Sequence, residues 1–214
     1  MSAREEILGR IHAALRDSPG APSVPREYRL TGEHPRGSAE AVALLVSRLE
    51  GHRARVHRVP GSGIEAALDM LLGEDTSVVL PAGAPRAWLA ASSARGRTVR
   101  IDGGDQPPLA TSELDRIDAV VTGCWVAIAE TGTIVLDAGA DQGRRAITLV
   151  PDHHICVVRP EQVVSSVPEA LAVVDPTRPL TFISGPSATS DIELRRVEGV
   201  HGPRKLDVVI VEAP

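Results

Sequence analysis

The sequence predicts an α/β fold, a mainly parallel sheet with flanking crossover helices, joined late in the chain by antiparallel strands. From Ala39 to Ile101, stretches with helical spacing of apolar residues alternate with short strand-like runs, the pattern of parallel strands linked by helices. From Trp125 to Leu136 that rhythm breaks. Two apolar runs are separated only by Glu130-Thr-Gly-Thr133, a gap too short for a helix, so a tight hairpin with Gly132 at positive φ is expected. Aromatics make up 2% of the 214 residues against 43% hydrophobic overall, so the core must be built from Leu, Val, Ile and Ala.

Taken in order, Ser2 and Glu5 form a capping-box pattern, and Ile7, Leu8, Ile11 and Leu15 share one helical face over residues 3–16. Asp17 to Arg36 is rich in Pro, Gly and charge and reads as an arm or linker. Residues 1–36 are therefore expected as an N-terminal helix with a Pro/Gly-rich arm, and 37–214 as one α/β domain. Val42, Leu45, Val46 and Leu49 predict a helix ending at Gly51, and Arg55 to Val59 a strand. Ser62 and Glu65 repeat the capping box and open a helix that runs to Gly73. Thr76 to Leu80 reads as a buried strand, Pro85 to Ala91 as a short helix carrying Trp88, and Thr98 to Ile101 as a further strand.

In the second half, Ile117 to Val121 reads as a strand ahead of the hairpin. A loop from Gly139 to Arg145 leads to the run Ile147-Thr-Leu-Val-Pro151 and a strand from His154 to Val158. Ser166 and Glu169 form another capping box for a helix reaching about Val174. Leu180 to Ile183 and Leu206 to Val211 read as buried strands, and between them lies a polar, Gly-rich crossover. Ser190 and Glu193 predict a short helix within that crossover, with its free N–H groups facing the Gly185-Pro-Ser187 turn as an anion site.

Composition excludes several classes. A net charge of −5 and almost no rings to stack on bases argue against nucleic-acid binding. The two cysteines, Cys124 and Cys156, are too few for a zinc site or iron–sulfur cluster made by this chain alone. Each sits in an apolar run, where a thiol acts as a small hydrophobe. No apolar run approaches the ~18 residues of a membrane span and the N-terminus is charged, so a cytoplasmic, reduced location is expected. The common nucleotide and hydrolase motifs GxxxxGK[ST], GxSxG, HExxH and GxGxxG after a strand are absent.

The groups able to carry chemistry fall in two places. Glu130, at the hairpin tip between Thr131, Gly132 and Thr133, suits a nucleophile, general base or orienting anion, or merely accepts hydrogen bonds from its turn. Downstream, Gly185, Ser187, Thr189, Asp191 and His201 offer directional groups for a small anionic ligand, with His201 placed for acid–base work. Arg144 and Arg145 could clamp a carboxylate or phosphate. His153 and His154 point to opposite faces of a strand and so do not chelate one ion together; no metal is expected. Glu130, Ser187, Thr189 and His201 are expected to converge at the carboxyl ends of the parallel strands.

Val120-Val-Thr-Gly123, Ala127 to Leu136 with its Glu-Thr-Gly-Thr core, Arg144 to Pro151 with His154-Ile, Ser184-Gly-Pro-Ser-Ala-Thr-Ser-Asp-Ile-Glu193, and Gly199-Val-His-Gly-Pro203 together resemble the lactate utilization protein C family, the LUD domain proteins. Val24-Pro-Arg-Glu-Tyr28 looks like the same family's arm. The resemblance implies the fold of the NagB/RpiA/CoA-transferase and formyltetrahydrofolate cyclo-ligase group. It also implies a role as the cluster-free accessory component of a three-protein system that oxidises L-lactate to pyruvate. On that reading this chain binds no cofactor alone, and the iron–sulfur clusters reside in its partner proteins. Glu130-Thr-Gly132 loosely resembles the glutamate turn of CoA transferases, which gives an alternative: acyl transfer, or capture of a small anion, by Glu130 and the 184–203 loop.

Overall fold

The computed structural model describes residues 2–16, 23–189, 197–199 and 201–212. Its elements run α1 (Ala3–Leu15), α2 (Ala39–Gly51), β1 (Arg55–Val59), α3 (Ile64–Leu72), β2 (Ser77–Pro81), α4 (Ala90–Ala94), β3 (Thr98–Asp102), α5 (Thr111–Leu114) and β4 (Ala119–Thr122). Then come β5 (Val126–Ile128), β6 (Thr133–Leu136), α6 (Arg145–Leu149), β7 (His153–Val158), β8 (Val163–Val164), α7 (Val167–Leu171), β9 (Thr181–Ile183), β10 (Ala188–Thr189), β11 (Val197–Glu198) and β12 (Lys205–Val211).

Six strands form a wholly parallel sheet in the order β1-β12-β7-β4-β2-β3. The antiparallel strands do not extend it. The hairpin strands make a sheet of their own, β8-β5-β6-β9, in which only β5 and β8 run parallel, and β10 and β11 pair antiparallel as a separate two-stranded ribbon. The reason lies in the hairpin's sequence, which is apolar on both faces. Ala127, Ala129, Ile134 and Leu136 pack inward, while Val126, Ile128 and Val135 pack outward with Val164 and Ala170. Such a hairpin needs cover on both sides, which an edge position in the first sheet would not give it.

Strand β7 is central, and all six of its residues are buried. Its alternation divides the core. Cys156 and Val158, with Leu206, Val208 and Ile210 of β12, face Leu45 and Leu49 of α2 and the inner side of the second sheet. Ile155, Val157 and Val209 face the opposite way, onto Leu68 and Leu72 of α3 and onto Trp88 and Leu89. Cys124 and Cys156 come together on the first of these faces, both free and buried. The neighbouring Cys156 and burial hold the Cys124 thiol well above its usual range.

Several local expectations need correction. Helix α2 continues through Gly51 to a cap at His52, and the left-handed residue that follows is Arg53, φ 68°. Ser62 does not cap α3, because residues Gly61–Gly63 form a 3-10 turn and the Glu65 carboxylate instead accepts the Ala91 N–H at 2.7 Å. Ile147 to Leu149, a run to which the sequence assigns no element type, lie in helix α6, and α5 was unforeseen. Phe182 of β9 is half exposed rather than buried. The helix expected from Ser190 lies outside the described residues. Glu169 does reach back to the Ser166 N–H and hydroxyl, at 2.7 and 2.9 Å.

The chain ahead of α2 is fastened along the second sheet. The N–H groups of Gly32, His34 and Gly37 donate to Glu169, the Ser165 hydroxyl and the Val163 carbonyl, and Arg36 donates to the Glu161 carbonyl. Helix α1 buries none of its residues, and Ile7, Leu8, Ile11 and Leu15 are all exposed.

On the α3 side, at the amino ends of β1, β12 and β7, the fully buried Asp207 accepts hydrogen bonds from Arg55, His57 (2.7 Å) and His153 (2.7 Å). His153 bonds Asp75 through its other ring nitrogen at 2.7 Å. Burial pushes the Asp207 carboxyl up, but the bonds from His153, Arg55 and His57 outweigh it and hold the group at about 2. A carboxyl depressed in the folded state contributes stability that is present above its unfolded value near 4. That contribution disappears as pH falls through about 2. Urea midpoints measured between pH 5 and pH 2 should therefore fall across this window, and the Asp207→Asn variant should show a flatter acid limb. At pH 7 that substitution should cost about 3–5 kcal/mol, because it leaves buried donors without their counter-charge.

Gly132 sits at φ 59°, and a Cβ there would lie 2.6 Å from Arg48 Cβ and 2.9 Å from the Arg48 carbonyl carbon. Backbone strain and the clash with α2 add together. Gly132→Ala should lower unfolding free energy by at least about 2 kcal/mol in urea titrations, and an unchanged midpoint would contradict this placement of the turn.

Candidate functional site

A cleft of ≈ 250 Å³ opens between the two sheets, where β9 and the start of the crossover face the amino ends of β7 and β12. Its walls are Thr181 to Ser187 on one side, His154 and Leu206 on the other, with Thr148 and Leu149 of α6 and His201 to Pro203 closing it. The volume is a little below the ~300 Å³ at which drug-sized pockets begin, and it suits a small metabolite better than a nucleotide. No Asp, Glu, Lys or Arg of the described residues lines it. Its polar groups are hydroxyls and imidazoles set among Leu149, Ile183 and Leu206.

The crossover is held in shape by Ser187. Its N–H donates to the Pro203 carbonyl at 2.8 Å, and its Oγ accepts the His201 N–H at 3.1 Å. The Ser187 hydroxyl proton is thereby turned to other uses, while the His201 ring stands exposed at the rim. Gly185 lets the chain pass tightly over the end of α2, since a Cβ there would lie 2.6 Å from the His52 carbonyl oxygen. The side chain of Thr189, and Asp191 altogether, lie outside the described residues.

The structure brings Gly185, Ser187 and His201 to one cleft, but at the amino ends of the parallel strands rather than the carboxyl ends. The cause is topological. The crossover leads into β12, so its last residues must lie where β12 begins. Glu130 is not among the described lining residues. Its N–H donates to the Ser165 carbonyl at 3.0 Å, and its carboxylate pairs with Arg29 at 2.6 Å, both side chains being partly exposed. The pair holds the Arg29 guanidinium above its usual range. The hairpin nevertheless reaches the cleft through hydroxyls: Thr131 Oγ1 to Thr133 Oγ1, and Thr133 Oγ1 to Ser184 Oγ, each 2.8 Å. Gly132 permits this by letting the turn sit against α2.

Arg144 and Arg145 do not act as a joint clamp on the cleft. Arg144 opens α6 and grips Asp102 with two bonds of 2.9 Å, with a third to the Leu109 carbonyl. The pairing raises the Arg144 guanidinium above its usual range; burial pushes Asp102 up, but Arg144 and the Leu109 N–H together outweigh it and draw the carboxyl down. Both line a separate glycine-rich crevice at the carboxyl ends of β2 and β3. Arg145 is exposed on α6. No group of three His, Cys, Asp or Glu among the described residues is arranged to hold a metal ion, and no described helix is long and apolar enough to cross a membrane.

The residue missed in the sequence is His154. It is 1% exposed, lines the cleft, and bonds Thr122 Oγ1 through Nε2 at 2.8 Å. Burial, with the nearby His153, pushes its imidazole down to about 3, so it stays neutral. The sequence offered one signal: a histidine at an inward position of a strand that is otherwise wholly apolar on that face.

Comparison with known proteins agrees with the fold and the motifs. The LUD domain family model matches residues 109–211, which span the hairpin, the cleft and the crossover. The chain is 46% identical to lactate utilization protein C of Deinococcus radiodurans over 214 residues, covering 98% of this chain and 95% of that protein. It is 33% identical to lactate utilization protein C of Bacillus licheniformis over 100 residues, 43% of this chain and 41% of that one. The crystal structure of a DUF162 family protein from Deinococcus radiodurans superposes with a TM-score of 0.68 at 42% identity, covering 84% of this chain and 100% of the other. With nearly its whole length aligned at this identity, the chain belongs to the lactate utilization protein C family.

Proposed function

We propose that this chain is the ligand-binding accessory component of a lactate-utilization system, and that the cleft between its two sheets holds a small organic acid of that pathway. The observation that carries the reading is the full-length similarity to a lactate utilization protein C, joined to a metabolite-sized cleft lined by neutral hydrogen-bonding groups. Oxidation of lactate to pyruvate releases two electrons and two protons. On this reading the electrons pass to iron–sulfur partner proteins, and this chain contributes binding and orientation. The exposed apolar face of α1 is available as a contact element for such a partner.

The alternative of acyl transfer on Glu130 draws less support, because Arg29 already engages that carboxylate and Glu130 stands outside the described cleft lining. The pair is half exposed, so Arg29→Ala should leave the urea unfolding midpoint nearly unchanged.

Deletion of the gene should abolish or strongly slow growth on L-lactate as sole carbon source, and the wild-type gene, or one carrying Glu130→Gln, should restore it. Undiminished growth of the deletion strain would contradict the role. Failure of Glu130→Gln alone to complement, with its fold intact, would move weight to the acyl-transfer alternative. In thermal melts, an organic acid supplied at ~100 times its dissociation constant should stabilise the chain by ~2.7 kcal/mol, a shift of roughly 5–10 °C at this length.

A further inference from the structure

One ring nitrogen of His154 is accounted for and the other is not. Nε2 is held by Thr122, which is itself fully buried and does not line the cleft. Nδ1 bonds no atom of the described residues, yet no buried polar side-chain atom among them is left without a partner. The sliver of His154 surface that remains open is therefore at Nδ1, on the cleft. A nearly buried imidazole thus aims an unpartnered nitrogen into the space between the sheets.

Hydrogen-bond counting assigns its proton. Among the described residues the Thr122 hydroxyl makes no bond besides the one to His154. If Nε2 carried the proton, the Thr122 hydrogen would be buried with no acceptor, a penalty of about 1–3 kcal/mol. If Thr122 donates to Nε2, every buried hydrogen is used, and the ring proton sits on Nδ1. The side chain then presents a fixed, uncharged donor that has no acceptor to offer.

The neighbouring hydroxyls add a donor and no fixed charge. Ser187 Oγ already accepts from the His201 N–H, which leaves its own proton to donate. Ser184 is tied to Thr133, and no described carboxylate faces the space. A ligand whose oxygens all accept fits such a lining without leaving a proton stranded. At His154 itself a keto oxygen accepts with no proton to place, whereas a hydroxyl there must also find an acceptor for its own proton, and contacts of fixed polarity discriminate on that basis.

We propose that the cleft selects small 2-oxo acids over the corresponding 2-hydroxy acids, the keto oxygen accepting a hydrogen bond from His154 Nδ1–H, with Thr122 as the positioning residue that fixes the tautomer. The proposal rests on the assignment of the cleft as the ligand site of the lactate-utilization component. It narrows that site to the oxidised, pyruvate-like side of the reaction.

The test is calorimetric titration of the full chain with pyruvate, 2-oxobutyrate and L-lactate, alongside ¹⁵N-resolved NMR of the histidine side chains. Wild type should bind the 2-oxo acids roughly three- to tenfold more tightly than L-lactate, the worth of one neutral hydrogen bond. His154→Phe should lose roughly that factor for the 2-oxo acids alone, and His154→Asn, whose amide N–H can stand in for Nδ1–H, should recover part of it. The NMR spectrum of wild type should show His154 as the neutral Nδ1–H tautomer, and Thr122→Val should release that preference. Equal or tighter binding of L-lactate, an unaltered His154→Phe, or an Nε2–H tautomer in wild type would overturn the inference while leaving the cleft as a ligand site. Binding of none of the three acids by wild type would overturn the cleft assignment itself. Should His154→Phe fail to fold, the wild-type selectivity and tautomer still decide the matter.

Discussion

The two-residue period of β7 is the constraint on which the rest of the molecule depends. At its head two histidines stand side by side in sequence, and the pleat sends them to opposite faces of the parallel sheet. His153 goes to the α3 side, where two carboxylates, Asp75 and Asp207, accept from its ring. His154 goes to the side of the second sheet, where Thr122 is its protein partner and the other nitrogen faces the cleft. A one-residue slip of β7 against β4 and β12 would exchange these environments. It would put the pair-forming imidazole among hydroxyls and the neutral one between carboxylates, and it would turn Ile155 and Val157 against Cys156 and Val158 throughout the core. Register, burial and site polarity are therefore fixed together.

The second constraint is the fit of the four-stranded sheet against α2. Gly132 and Gly185 both approach the last turn of that helix more closely than any side chain allows, one at the hairpin and one at the exit of β9. Because both contacts are made, Thr133 and Ser184 come within hydrogen-bonding distance, and the crossover leaves β9 over the edge of the parallel sheet instead of away from it. The cleft is the space left between that crossover and the strand ends. Ser187 then ties the outgoing and returning arms of the crossover together through backbone and hydroxyl bonds.

Much of this was legible in the sequence. The parallel half followed from alternating periodicities, and the hairpin from a gap too short for anything else. The family motifs fall on the hairpin, α6 and the crossover, the segments that wall or adjoin the cleft. What sequence could not supply was set by non-local partners. The Ser62–Glu65 capping pattern looks like those at Ser2 and Ser166, but the Glu65 carboxylate is claimed by the Ala91 N–H from a neighbouring helix. The run at Ile147 has the composition of a strand, yet Arg144 is anchored on Asp102 and the segment winds up as a helix from there. Arg144 and Arg145 invited a two-armed clamp, and the fold commits the first to Asp102 and exposes the second. His154 acquires its meaning from Thr122, 32 residues earlier, and the β4–β7 register that joins them is invisible to local pattern.

If His154 reads a small acid bound between the sheets, the contact should be directly visible. The most direct measurement is a crystal structure of the protein grown or soaked with pyruvate. Ligand density is expected in the cleft with an oxygen within hydrogen-bonding distance of His154 Nδ1, bounded by the Ser184–Ser187 turn and Leu206. An empty cleft, with pyruvate bound instead in the glycine-rich crevice beside Arg144, would contradict it.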